Sequence, residues 1–173
     1  MDPILEFFRQ FNRPKTHNPW ASPSGEPMCV VISSDDEERK AAHRMASETI
    51  DDFINHIAVG DGRLCSFKLH FRDPELEEDE LFYWWLDWAA YYPADGHFSG
   101  VFSELPDCLK SYYHIGQRLH ALREDIFDWR VNLDGRLYGG FTIRVDRKTI
   151  PSDQLKAYDR YIGVTSFEET TEP

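Results

Sequence analysis

Cysteine is scarce in this chain of 173 residues, with only Cys29, Cys65 and Cys108. An odd number, far apart and without a C-x-x-C pair, argues against both a disulfide framework and a structural zinc site, and fits a reducing compartment. Positive charge is also in short supply. Lysine and arginine number 19 against 31 aspartates and glutamates, giving a net charge of -12 and a pI near 4.9. Such a field repels phosphate backbones and anionic lipid and attracts basic proteins, so neither nucleic acid nor a membrane is the expected partner. No apolar run approaches the ~18 residues of a membrane span. The opening MDPILEFFRQF carries Glu6 and Arg9 inside its apolar stretch and has neither a basic start nor a small-residue cleavage site, unlike a secretory signal. The expectation is a soluble, cytoplasmic protein of one domain, long enough to bury a core.

What is present begins with a short amphipathic helix, Ile4, Phe7, Phe8 and Phe11 behind Pro3. Pro14, Pro19, Pro23 and Pro27 then impose an extended linker, so residues 1–27 form a helix and a Pro-rich linker. The apolar, β-branched MCVVI predicts a strand at 28–32. Ser34-Asp35-Asp36-Glu37 reads as a capping box that opens one long helix to about Ile57, with Ala42, Met45, Ala46, Thr49, Phe53 and Ile57 on its buried stripe. RLCSFKLHF, 63–71, alternates: Arg63, Cys65, Phe67, Leu69 and Phe71 point mainly to the core, while Leu64, Ser66, Lys68 and His70 point the other way. The acidic segment 73–80 then predicts a solvated turn to the next strand.

LFYWWLDWAA, 81–90, holds three tryptophans around one carboxylate. Strict alternation puts Phe82, Trp84, Leu86 and Trp88 on one face and Leu81, Tyr83, Trp85, Asp87 and Ala89 on the other. Both faces are largely apolar, which predicts a central strand covered on both sides. A base-stacking platform needs basic neighbours, and this stretch is flanked by acids; a sugar-stacking surface stays open as an alternative.

Further strands are expected at 97–103, 116–122, 127–133 and 136–145. Asp134-Gly135 joins the last two in a tight hairpin, and Gly139-Gly140 marks a bulge or a close backbone approach. Residues 106–115 suit a turn or short helix, and 151–162 a helix behind Pro151. The expected fold is α+β: one domain over 28–163, a curved, mostly antiparallel sheet against a long N-terminal helix, with short terminal helices and an acidic, flexible tail at 164–173.

Phe67-Lys68 in a strand, the aromatic strand 81–88, Gly100, Pro106, Gly116, Ile126, Asp128-Trp129, Asp134-Gly135 and Gly139-Gly140 resemble the small bacterial YegJ-like family, a domain of unknown function, over roughly residues 42–146. The resemblance implies a compact α+β domain with an N-terminal helix against a curved, mostly antiparallel sheet, and no known catalytic residue. The chain departs from the pattern at Gln117, where an aspartate would follow Gly116, and residues 1–34 and 150–173 lie outside it.

Candidate chemistry is thin. None of the seven histidines falls at a metal-ligand spacing, and the glycines form no phosphate-binding loop, so no metal and no cofactor is expected. Cys65 and Cys108 lack an adjacent base and read as inert, buried thiols. Asp87 and Asp128 sit among aromatics in expected strands, where each must be solvated, bonded or waiting for a partner. Their action as an acid–base pair depends on a proximity that spacing does not show.

An acidic domain without catalytic motifs but rich in aromatics has the profile of a stoichiometric inhibitor of a basic enzyme. The leading expectation is a non-enzymatic, protein-binding bacterial immunity protein that occludes the active site of a cognate toxin. Its expected contact residues are Glu75, Glu77, Glu78, Asp79, Glu80, Trp84, Asp87, Trp88, Glu104, Asp107, Asp128 and Trp129. The alternatives are an enzyme or small-ligand domain whose pocket is lined by Trp84, Asp87, Trp88, Asp128 and Trp129, and a subunit of a larger assembly docking through the N-terminal helix.

Overall fold

A computed structural model describes residues 31–32, 36–72 and 81–169. The expected helix at 3–11, the linker, the Ser34 cap and the acidic segment 73–80 lie outside the described residues. In chain order come β1 (Val31–Ile32), α1 (Glu37–Glu48), α2 (Ile50–Val59), β2 (Leu64–Arg72), β3 (Leu81–Tyr92), β4 (His97–Val101), β5 (Arg118–Leu122), β6 (Asp128–Leu133), β7 (Arg136–Gly139), α3 (Phe141–Thr149), α4 (Leu155–Tyr161) and β8 (Ser166–Phe167). The sheet runs β5-β4-β3-β2-β6-β7-β8, with β1 pairing β3 off this path. Every pairing is antiparallel except β7 with β8. This is the expected α+β domain, and β3 occupies the expected central position.

Each face of the sheet has its own apolar cluster. On one face Phe67 of β2, Leu86 of β3, Phe98 of β4 and Val131 of β6 pack against Ala42 and Ala46 of α1 and Phe53 of α2. On the other, Leu137 of β7 and Trp85 of β3 meet Ile143 of α3, Tyr158 of α4 and Val164. Each fully buried phenylalanine contributes about 2–3 kcal/mol by leaving water.

The long helix expected at 35–57 is two. Thr49 breaks it at φ -105°, ψ 14°, while its hydroxyl donates back to Met45 O at 2.6 Å. The N-cap of α1 is Asp36, whose side chain accepts from the Glu38 and Arg39 amides. The hairpin at Asp134-Gly135 forms as expected, both residues with positive φ. The strand expected over 136–145 ends at Gly139, because Gly139 and Gly140 are both left-handed and turn the chain into α3. Gly139 is also the expected close approach: a Cβ there would lie 2.5 Å from Trp129 O.

Two further expectations change. The segment 164–169 is pinned rather than loose: Val164 is buried, β8 pairs with β7, and the Glu168 amide donates to Leu137 O. Cys108, in the short 3-10 turn Asp107–Leu109, is disulfide-bonded rather than an inert thiol. Cys65 is free and buried, and burial pushes its thiol up to about 11.

Candidate functional site

The polar residues of the central strands converge on one face of the sheet. Register places Trp85, Lys68 and Asp128 on a single rung across β3, β2 and β6, and Ser66 beside Arg130 on the next. Lys68, read from alternation as facing away from the core, is buried, because α3 and α4 close over that face. Its Nζ donates to Thr142 Oγ1 at 2.7 Å, and the same hydroxyl donates to Asp128 Oδ2 at 2.6 Å. Asp128 accepts three more hydrogen bonds, from the backbone amides of Trp129, Phe141 and Thr142. It caps α3 from thirteen residues upstream, a role that Gly140 at the N-cap position has no side chain to fill.

Electrostatically the group is a buried pair joined through a hydroxyl. Loss of water raises the Asp128 carboxyl, while the Lys68 charge and the donors from Thr142 and Trp129 oppose that rise. The four donated hydrogen bonds favour the charged form of Asp128 against that loss of water. Burial pulls Lys68 down to about 8, held from falling further chiefly by Asp128. Beside this group, the Trp85 ring is near two cations, 4.8 Å from Lys68 Nζ and 4.5 Å from Arg130 Cζ. Asp87 accepts from Ser66 Oγ at 2.6 Å and lies 3.6 Å from Arg130.

Asp87 and Asp128 therefore belong to two separate hydrogen-bond sets, each filled from within the chain. An acid–base pair would need a shared substrate position, and these two carboxylates are committed to different partners. Trp129 is on the opposite face, its indole N–H donating to Ala46 O and Thr49 Oγ1 and its ring stacked on Phe53. Trp84 also faces that side, bonded to Glu104 O at 3.0 Å. The proposed pocket of Trp84, Asp87, Trp88, Asp128 and Trp129 is thus not assembled. Asp87, Asp128 and Trp129 are buried and lie outside any docking surface of this conformation. Glu104 is half-buried, and exposed Asp107 pairs with Lys110. Glu75, Glu77, Glu78, Asp79 and Glu80 lie outside the described residues.

Trp88 departs most from alternation. The β3–β4 register shifts between Asp87 and Ala90, so Ala89 takes the core-facing place and Trp88 is the extra residue of a bulge. Its φ is 56°, the left-handed region that glycine normally supplies, and it is 42% exposed. Beyond the bulge, Tyr92, His97 and Leu122 form one rung across β3, β4 and β5. Tyr92 stacks on His97 with ring centres 4.6 Å apart, and His120 lies 5.1 Å from His97. Tyr92 and Leu122 are exposed. Thr142 and the Tyr92–His97–His120 group escaped sequence reasoning, because no motif spacing links residues that only strand register brings together.

Among the described residues, no group of three or more histidine, cysteine, aspartate or glutamate side chains could hold a metal ion. No helix there is long and apolar enough to cross a membrane. The chain is 28% identical over 131 residues to the uncharacterized protein YegJ of Escherichia coli (strain K12), covering 74% of this chain and 81% of YegJ. No solved structure matches it. The family described as "Uncharacterized protein conserved in bacteria (DUF2314)" matches residues 36–166, a span that holds Lys68, Asp128, Trp129, Gly139 and Gly140. On that match the chain belongs to this bacterial family.

Proposed function

We propose that this chain is a non-enzymatic, protein-binding domain whose partner is basic, and in its most specific form an immunity protein that neutralises a cognate bacterial toxin by occluding its active site. One observation carries the reading: Trp88 is held in a left-handed backbone conformation while 42% exposed. A bulky residue there costs on the order of 1–3 kcal/mol, strain that persists at sites where it serves recognition. Exposed Tyr92 at the same end of the sheet adds an anchor of the kind that dominates interface energies, and exposed Leu122 adds apolar area beside it. The net charge of -12 sets the sign of the partner and speeds encounter.

The test is co-expression of the full chain with the product of its adjacent gene, affinity capture, and calorimetry on any pair that forms. A tight one-to-one complex that abolishes the partner's toxicity, and that W88G weakens at least tenfold, supports the reading. A partner bound equally well by W88G moves the interface away from the bulge. Absence of any complex with a basic partner overturns the proposal.

A further inference from the structure

A cleft of about 250 Å³ is lined by the C-terminal end of α4 and by strands β2, β6 and β7. Asn132 fixes its rim: Nδ2 donates to Gly163 O and Oδ1 accepts from the Gly135 amide, each at 2.8 Å, which ties the turn after α4 to the β6–β7 hairpin. Leu64, Tyr161 and Ile162, all half-buried, supply apolar walls. Burial pushes the Tyr161 phenol up and keeps it neutral. Among the described residues the one charged side chain in the lining is Arg130. Its side chain is 15% exposed, and among the described residues its N–H donors make no hydrogen bond. Its countercharge is Asp87, whose Oδ1 lies 3.6 Å from Nη2, beyond hydrogen-bonding distance, and already accepts from Ser66 Oγ. Charge at Arg130 is thus balanced and hydrogen bonding is not, a costly state for a guanidinium that has lost most of its water. Among the described residues the side-chain nitrogen sealed from solvent without a partner is Arg144 Nη2, so the Arg130 donors remain reachable, and this cleft is the one that Arg130 lines.

We propose that this cleft binds a small monocarboxylate with a short apolar body, the carboxylate on Arg130 and the body against Leu64, Tyr161 and Ile162. A carboxylate offers paired, planar acceptors that a guanidinium fork meets with two parallel bonds. A cation would meet Arg130 at close range, and a neutral amide brings one acceptor without charge assistance. Asp87 acts on Arg130 and Glu104 on Tyr161, though neither lines the cleft. A single negative charge keeps repulsion from those two carboxylates lower than the double charge of a phosphate monoester would. The volume lies below that of sites for drug-sized ligands, which limits the apolar body to a few carbons. Two sources share this chemistry, a free acid and the C-terminal residue of a peptide. The site does not rest on the Trp88 reading, since the bulge contributes none of its lining residues and its test needs no partner protein.

The experiment is titration of the full-length protein with sodium isovalerate, with neutral isovaleramide, and with the peptide acetyl-Gly-Gly-Leu carrying a free C-terminus. It is followed by backbone amide and arginine Nε–H resonances, Arg130 being identified through R130K. Isovalerate or the peptide should shift the Arg130 Nε–H and the Gly135 and Gly163 amides saturably, and should bind at least about tenfold tighter than isovaleramide. R130K keeps the charge but loses the planar fork, and should weaken binding by about fivefold or more. If R130K does not fold, L64F, which narrows the cleft at a half-buried wall, must weaken isovalerate binding severalfold instead. Tighter binding of isovalerate assigns a free acid; tighter binding of the peptide assigns a chain terminus. No saturable shift with either carboxylate, shifts matched by isovaleramide, or binding unchanged in whichever variant folds overturns the proposal.

Discussion

Strand β3 is two different structures joined at Asp87. From Phe82 to Asp87 both faces are covered: Phe82 and Leu86 sit in the helix-side core, and Trp85 packs in the cluster with Tyr158 of α4, close to two cations. From Trp88 to Tyr92 one face stays closed, with Tyr91 packed on Phe98, while Trp88 and Tyr92 are open to solvent. Composition does not separate the halves, since both are aromatic. What separates them is one extra residue in the ladder and the reach of α3 and α4, which cover the sheet around Lys68 and stop short of β5. The same side-chain type is core on one side of a bulge and available for docking on the other.

The largest effect should come from the closed half. D128A removes the acceptor that holds four donors and leaves Lys68 buried without its countercharge, so it should cost about 3–5 kcal/mol in denaturant unfolding. A loss below 1 kcal/mol would mean that α3 is held without this cap. Next in size is G139A: its Cβ would lie 2.5 Å from a backbone oxygen at a φ of 64°, and a loss of about 2–4 kcal/mol is expected in the same measurement.

Lys68 adds a pH signature. Its folded value of about 8 lies below the ordinary 10.5, so between these values the unfolded chain holds more protons and stability rises with pH. The gain is complete above about 10.5 and lost as pH falls to about 8, with an upper bound of roughly 3 kcal/mol. K68M should abolish that alkaline rise while lowering stability at pH 7, and an unchanged slope in the variant would assign it to another group.

The open half should answer with the opposite sign. W88G relieves a strained backbone and should leave stability unchanged or raise it by up to about 1 kcal/mol, read as a shift in Tm, while speeding dissociation of a bound partner. A destabilised W88G would place Trp88 with the closed half. Smallest of all, changing Glu77, Glu78, Asp79 and Glu80 to lysine should leave the melting curve within about 0.5 kcal/mol and slow association with a basic partner at low salt.

Legibility follows the range of the interactions involved. The Asp134-Gly135 hairpin, the inward face of β2 and the central place of β3 were all readable, because turn chemistry and period-two burial act between neighbours. Helix α3 was not, since F-T-I-R-V after two glycines alternates like a strand and its capping carboxylate comes from β6. The bulge at Trp88 carries no glycine or proline to announce it. Asp87 and Asp128 were legible as carboxylates in need of partners, but the partners, Ser66 and Thr142, lie 21 and 14 residues away along the chain.

The amino-acid sequence by itself determined the acidic field, the α+β class, the family resemblance and the two-sided burial of the aromatic strand as far as Asp87, all of which depend on composition or on contacts a few residues apart. Only the tertiary structure decided that Lys68 is buried, that Asp128 caps a helix rather than faces a partner, and that Trp88 alone of the three tryptophans in its strand is turned to solvent. Those outcomes depend on which helix covers which face and on a one-residue slip in strand register. Such a slip redirects a side chain at a cost of a few kcal/mol, too small to leave a mark in local sequence.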